Sequence, residues 1–212
     1  MLFNRTRPLI GFEIPTDNNP IWSALGNDPD GYLNDALRKI ISLKYADLNY
    51  AMDVCESDMV RQILRHAPIE NRHERVLVDI KVHDLKKGQH TCVPGWHLDG
   101  SIDPDGIKTK GEVHHLFVAS RFCRTLFLDS PLDIPVDPSW TFAERSKKIG
   151  ALLDDMILSV FTIPNCRFVT YDDTFFHRGA QSEGDELRLL IRVTETDVIK
   201  PQNRVYTPYT HP

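Results

Sequence analysis

Short segments rich in β-branched and aromatic residues follow one another through most of the chain beyond residue 75. In the first of them, RVLVDIKV, every second position is apolar, so one face of a strand carries Val76, Val78, Ile80 and Val82. Similar segments cover residues 112–120, 124–129, 166–171, 174–177 and 187–194, and a helical pattern at 142–158 interrupts them. Many short strands of this kind predict a β-barrel or a β-sandwich.

The first 70 residues have a different pattern. Apolar residues recur there at helical spacing, at Leu33, Ala36, Leu37, Ile40 and Ile41. A second helical stretch is expected from about residue 58 to 66, before Pro68. We therefore expect one mainly β domain over residues 1–212, with N-terminal helices at about 1–70 that buttress the strands, and a C-terminal extension at 196–212.

Composition and charge exclude several classes of protein. With 41% hydrophobic residues in 212, the chain has enough apolar material for a sizeable core. A net charge of −5 disfavours a nucleic-acid partner but leaves a local basic patch open. Four cysteines without a Cys-x-x-Cys pair exclude a zinc ribbon and a thioredoxin-type motif. No signal peptide or membrane span is evident, so we expect a cytoplasmic protein without a membrane partner.

One histidine of the nine lies in a His-x-Asp arrangement, in the string PGWHLDGS. On a strand, positions i and i+2 project from the same face, so His97 and Asp99 can aim at one point. About one such match is expected by chance in a chain of this composition. A polar turn before Gly100 is therefore the alternative interpretation.

A third ligand is needed to complete a metal site, and His177 is the best candidate. It follows two apolar residues, Phe175 and Phe176, and lies far along the chain, as a barrel closing on itself would require. Two histidines and one carboxylate suit ferrous iron with open coordination positions. The alternative is a buried histidine whose ring is satisfied by a backbone carbonyl.

The segment LRLLIRVTET places two arginines on one strand face. Arg188 and Arg192 share that face with Leu190 and Thr194, whereas the opposite face is wholly apolar and must be buried. Guanidinium groups among apolar neighbours are costly unless an anion meets them. A dicarboxylic cosubstrate is such an anion, because arginine pairs bidentately with carboxylate. A solvated face of an antiparallel strand is the alternative.

These residues together resemble the iron(II)- and 2-oxoglutarate-dependent dioxygenases. That family has a His-x-Asp pair, a distal histidine and an arginine about ten residues further on, matched here by His97, Asp99, His177 and Arg188. The resemblance implies a double-stranded β-helix, a cupin-like jelly roll, at about residues 75–195. It also implies Fe(II), 2-oxoglutarate as cosubstrate and O2.

The taurine dioxygenase-like branch is the most similar branch of this superfamily. Trp96 before the His-x-Asp pair, the segment Thr125–Asp129 (TLFLD) and a second arginine, Arg192, match its pattern. By this resemblance, Thr125 and Arg188 hold the distal carboxylate of 2-oxoglutarate. The string GWHLDG is also similar to phytanoyl-CoA hydroxylase-like members, our second choice.

The resemblance predicts an enzyme that hydroxylates an unactivated C–H bond and releases succinate and CO2. A carboxylate at position 99 favours hydroxylation or desaturation over halogenation, since related halogenases have a small residue there. One alternative is a 2-oxoglutarate oxygenase acting on nucleic acid or a peptide side chain. A metal-binding cupin without 2-oxoglutarate chemistry and a non-enzymatic interaction module are the others.

Arg192 bears on the class of substrate. It lies about 13 Å from Arg188 along the strand, at a rise of about 3.3 Å per residue, so one carboxylate cannot pair closely with both. Its partner is therefore the substrate or an internal Asp or Glu. The resemblance assigns Arg192 to an anionic substrate group, which predicts a small anionic or zwitterionic metabolite. Oligomeric state and substrate identity are not evident from the sequence.

Overall fold

The computed structural model describes residues 2–3, 9–13, 32–91, 95–99, 111–129, 131–134, 137, 139–197 and 199–210. In these ranges the strands are β1 (Leu2–Phe3), β2 (Leu9–Glu13), β3 (Leu43–Asp47), β4 (Arg75–Leu85), β5 (His97–Leu98), β6 (Val113–Ala119), β7 (Thr125–Leu128), β8 (Leu132–Asp133), β9 (Val160–Thr162), β10 (Arg167–Asp172), β11 (Phe176–Gly179), β12 (Glu186–Thr196) and β13 (Arg204–Val205). The helices are α1 (Tyr32–Arg38), α2 (Leu48–Val54), α3 (Asp58–Arg65) and α4 (Phe142–Asp154).

The described strands form two larger sheets, and all their pairs are antiparallel. One sheet has seven strands in the order β13-β3-β4-β12-β6-β10-β2, and the other has four in the order β5-β11-β7-β9. Strands β1 and β8 pair separately. The prediction of a mainly β protein is confirmed, because the six strand segments expected beyond residue 75 correspond to β4, β6, β7, β10, β11 and β12.

Strand β12 lies at the centre of the larger sheet, paired with β4 on one side and β6 on the other. Its apolar face is buried, as predicted, through Leu187, Leu189, Ile191 and Val193. Buried residues of α1, α2 and α3, among them Leu37, Ala51 and Ile63, belong to the same core cluster. Burying one such aliphatic side chain stabilises the fold by about 1.5–3 kcal/mol. The three helices thus cover one face of the larger sheet.

The first 70 residues are not purely helical, because β1 and β2 precede the helices and β3 lies between α1 and α2. Leu43–Asp47 pairs with β4 through a register shift between Leu43 and Ala46. Tyr45 has a φ of 51°, in the left-handed region. This irregularity breaks the alternation by which a strand is recognised in a sequence. The expected domain boundaries near residues 70 and 196 stay predictions.

Helix α4 begins with a capping box. The Thr141 hydroxyl accepts a hydrogen bond from the Glu144 N–H at 3.3 Å, and the Glu144 carboxylate accepts one from the Thr141 N–H at 2.9 Å. The helix ends at Asp154 rather than near residue 158, since the chain enters β9 at Val160. Across the described ranges, none of the helices is long and apolar enough to cross a membrane.

Gly150 of α4 lies directly against the backbone of Trp96, the residue before His97. A Cβ at position 150 would stand 2.2 Å from the Trp96 carbonyl oxygen, closer than atoms can pack. Helix propensity alone would make Gly150→Ala stabilising by about 1 kcal/mol. We expect this clash to reverse the sign and lower the free energy of unfolding by about 1–3 kcal/mol.

Thermal denaturation measures this effect, and Leu152→Ala is the matched control, because Leu152 is 53% exposed on the same helix. Gly150→Ala should lower Tm by several degrees, and Leu152→Ala should change it little. A Tm for Gly150→Ala at or above that of the wild type would contradict the contact.

Candidate metal centre

The structure brings together the three predicted metal ligands. Strands β5 and β11 pair so that His97 and His177 lie directly opposite each other, and Asp99 follows the end of β5. The two imidazole rings have centroids 4.5 Å apart, and His177 Nε2 lies 3.1 Å from Asp99 Oδ2. One ligand atom from each of the three residues lies within 4.8 Å of the others.

Both imidazoles are oriented through their Nδ1 atoms. His97 Nδ1 lies 3.1 Å from the Gly95 carbonyl oxygen, and His177 Nδ1 lies 3.2 Å from that of Phe175. A carbonyl oxygen only accepts, so Nδ1 carries the proton in each ring and Nε2 is left for a metal. The alternative interpretation of His177 was a ring that is satisfied by a backbone carbonyl. The structure shows such a contact at Nδ1, and Nε2 remains available for a metal.

Electrostatics favour a cation at this point. Burial, followed by the nearby His177, lowers the pKa of His97 to about 4, so this ring is neutral near pH 7. Burial alone would raise the pKa of Asp99, but Arg192 and His177 hold it well below its usual range. First-row metal bonds of about 2.0–2.2 Å at right angles place neighbouring ligand atoms about 3 Å apart. The residues present therefore fit a divalent metal ion.

Arg188 crosses from the larger sheet to the smaller one. It is 1% exposed, its Nε donates to the Cys123 carbonyl at 3.0 Å, and its Nη2 donates to Thr125 Oγ1 at 2.8 Å. Its Nη1 is buried without a hydrogen-bond partner, and no carboxylate of the described ranges pairs with this guanidinium. A buried arginine in this state fits an incoming anion.

One cavity joins these two groups of residues. We call it the metal cavity: its lining includes His97, Asp99 and His177 together with Thr125 and Arg188. An anion held by Arg188 would therefore share a cavity with the metal ligands. The structure thus brings all six predicted site residues, Arg192 among them, to the lining of one cavity, and their roles stay predictions.

Arg192, the sixth residue, lies between two carboxylates. Its Nη2 pairs with Asp79 Oδ2, and its Nη1 lies 2.5 Å from Asp99 Oδ1. Its Nε is buried without a partner in the described part of the chain. The sequence predicted that Arg192 pairs either with the substrate or with an internal Asp or Glu. The structure shows contacts with two internal carboxylates, those of Asp79 and Asp99. Its role toward a substrate stays a prediction.

A second cavity also borders the Asp99–Arg192 pair. We call it the Asp79 cavity: Asp79, Asp99, Arg192, Tyr45 and His114 are among its lining residues. His114 Nδ1 lies 3.0 Å from Thr194 Oγ1, whereas its Nε2 is buried with no hydrogen-bond partner in the described ranges. The two cavities share Asp99 and Arg192.

Sequence reasoning missed the polar face of β4. Asp79, Lys81 and His83 lie opposite Arg192, Leu190 and Arg188 in the register of β4 with β12. These three residues alternate with the apolar residues that identified this strand. The same alternation of polar and apolar positions drew attention to the arginines of β12, and it could have identified the polar face of β4 as well. His83 is 3% exposed, and burial, followed by Arg188, lowers its pKa to about 3.

Comparisons with known proteins found few relatives. No protein-family model matches the chain, and no curated protein matches it. Among solved structures, the chain is similar to the epimerase SnoN, whose crystal structure is a complex with Fe3+, alpha ketoglutarate and nogalamycin RO. The two are 14% identical, with 97% of this chain and 92% of SnoN covered and a TM-score of 0.50. The likeness is one of fold.

Proposed function

We propose that this protein is an iron(II)- and 2-oxoglutarate-dependent oxygenase. The observation that carries the proposal is a single cavity lined by both a His-Asp-His group and a buried guanidinium that has no carboxylate partner within the described ranges. A metal-binding cupin that does not use 2-oxoglutarate has no need of Arg188. The complex of the similarly folded SnoN with Fe3+ and alpha ketoglutarate supports the proposal.

The fold we propose for the core is the double-stranded β-helix. The strand order supports it. From β4 to β7 the chain alternates between the larger and the smaller sheet, it adds β9 to the smaller sheet, and from β9 to β12 it alternates again. Two packed sheets connected in this way form a jelly roll. Arg188 on β12 and Thr125 on β7 then face each other across the barrel.

His97, Asp99 and His177 would hold the iron, and Arg188 with Thr125 would hold the distal carboxylate of 2-oxoglutarate. With O2, the bound iron and cosubstrate supply chemistry that converts a substrate C–H into C–OH and 2-oxoglutarate into succinate and CO2. The protein orients the ligands and excludes water. Phe127 stacks on the His177 ring at 5.1 Å, and Tyr171 packs against its edge at 5.3 Å.

The substrate we propose is a small anionic or zwitterionic metabolite that enters the Asp79 cavity. This cavity borders Asp99, so a molecule in it would lie beside the metal. The unpartnered Nε of Arg192 offers a hydrogen bond to a substrate oxygen, and the unpartnered His114 Nε2 offers a second polar contact, within the described ranges. Hydroxylation is the outcome we propose. Nucleic acid or a peptide side chain as the substrate is the alternative.

An anaerobic titration tests the reaction class. We expect Fe(II) to bind and added 2-oxoglutarate to produce a weak visible absorption band from its chelation of the metal. Succinate in place of 2-oxoglutarate is the matched control, because it lacks the keto group and should produce no band. Iron binding without the band would favour a cupin of other chemistry, and no iron binding would favour an interaction module.

Thr125→Val tests the cosubstrate site with a small change. The substitution removes a hydroxyl that meets Arg188 at 2.8 Å and preserves the shape of the side chain. A hydrogen bond to a charged group contributes about 1.5–3 kcal/mol, so the KM for 2-oxoglutarate should rise about 10- to 100-fold. Steady-state succinate formation measures it, with Thr162→Val on the exposed edge of β9 as the control. An unchanged KM would place the cosubstrate elsewhere.

A further inference from the structure

Asp79, Arg192 and Asp99 form a continuous ion-pair chain that ends on a predicted metal ligand. Asp79 and Arg192 are directly opposite each other on β4 and β12. The side chains are largely buried, with 4% exposed for Asp79, 14% for Arg192 and 16% for Asp99. The guanidinium uses Nη2 for Asp79 and Nη1 for Asp99, so one planar group connects the two carboxylates.

The contacts of Asp99 are divided between its two oxygens. Oδ1 accepts from Arg192, whereas Oδ2 accepts from the Tyr171 hydroxyl at 2.6 Å and lies 3.1 Å from His177 Nε2. Oδ2 is therefore the oxygen nearest the other metal ligands. Arg192 holds the carboxylate by the opposite oxygen.

Asp79 determines how Arg192 can bind Asp99. A guanidinium free of other partners binds a carboxylate through two parallel hydrogen bonds, which here would occupy Oδ2 as well. Asp79 engages Nη2 and so limits the contact to Nη1 and Oδ1. Asp79 is itself held, because the Tyr45 N–H donates to its Oδ1 at 2.8 Å. The positive φ of Tyr45 and the irregular register of β3 accompany this hydrogen bond.

We propose that Asp79 and Arg192 are positioning residues for the metal: Asp79 holds Arg192 to one oxygen of Asp99 and so leaves the other oxygen for metal binding. The proposal rests on the proposed function for the presence of a metal. It is compatible with a substrate contact through Arg192 Nε, which neither carboxylate uses.

Metal affinity of the full chain tests this proposal. The probe is Co(II), which is stable in air and whose visible absorption reports its ligand set. Partners that orient metal ligands contribute about 10- to 100-fold to affinity, so we expect Asp79→Asn to weaken Co(II) binding by that factor and to change the spectrum. The matched control is Asp84→Asn, the same change at an exposed position of β4.

A structural ion pair would behave differently. A purely structural role predicts a lower Tm for Asp79→Asn. It also predicts that the Kd for Co(II) and the visible spectrum of bound Co(II) stay unchanged at temperatures below the unfolding transition. That result would overturn the proposal. If Asp79→Asn does not fold, Arg192→Lys provides the same test, because lysine keeps the charge but lacks the planar fork. Its Kd should rise by a similar factor, and a wild-type Kd would overturn the proposal.

The failure of the proposed function gives a different result. A wild-type chain that binds no Co(II) would remove the metal centre itself and overturn both proposals. A wild-type chain that binds Co(II), with variants that bind it equally well, would overturn the positioning role alone.

Discussion

His177→Ala should lose metal binding and all 2-oxoglutarate-dependent turnover. The variant removes one of three ligand atoms, and it leaves Arg192 paired with both of its carboxylates. Loss of partners that merely orient ligands costs about 10- to 100-fold in affinity, so loss of a ligand should cost more than about 100-fold. Calorimetric titration with Fe(II) under anaerobic conditions measures the affinity, and succinate release measures turnover.

The matched control for this prediction is His66→Ala. His66 is an exposed histidine at the end of α3, far from the site in sequence, and its ring contacts only backbone Gln62 among the contacts described. We expect wild-type affinity from it. His97→Ala and Asp99→Ala should behave as His177→Ala does, with far-UV circular dichroism preserved. Full hydroxylation by any of these ligand variants at ordinary iron supply would refute the metal assignment.

Arg188→Lys should raise the KM for 2-oxoglutarate by about 10- to 100-fold while the affinity for iron stays nearly constant. Lysine keeps the positive charge but has no planar fork, so it cannot hold Cys123, Thr125 and a carboxylate together. Hydrogen bonds to charged groups contribute about 1.5–3 kcal/mol, which corresponds to this range of KM. Initial rates at varied 2-oxoglutarate concentration measure it.

Arg124→Lys is the control for that measurement. Arg124 is exposed one position before β7, so the same substitution there should leave the KM unchanged. Calorimetric titration with Fe(II) in both variants separates a cosubstrate defect from damage to the metal centre. If the KM of Arg188→Lys equals that of the wild type, the anion that meets Arg188 is not 2-oxoglutarate.

The sequence by itself determined those features that depend on neighbours along one strand. The two-residue period of a strand puts the arginines of β12 on one face and its apolar residues on the other. The same period predicts a common face for His97 and Asp99, so their spacing made them a candidate pair beside the alternative of a polar turn. Six of the strands beyond residue 75 were predictable for this reason: β4, β6, β7, β10, β11 and β12. Strand β3 was not, because the left-handed conformation of Tyr45 breaks its period.

Only the tertiary structure decided what lies between strands. The pairing of β5 with β11 puts His177 opposite His97, across a separation of 80 positions that no local pattern encodes. The register of β4 with β12 puts Asp79 against Arg192, which joins an unnoticed acidic residue to the predicted metal ligand Asp99. Register is set by which faces the whole sheet must bury, since a slip by one residue turns every side chain of a strand to the other face. The partners of Arg192 were therefore not predictable from the strand that carries it.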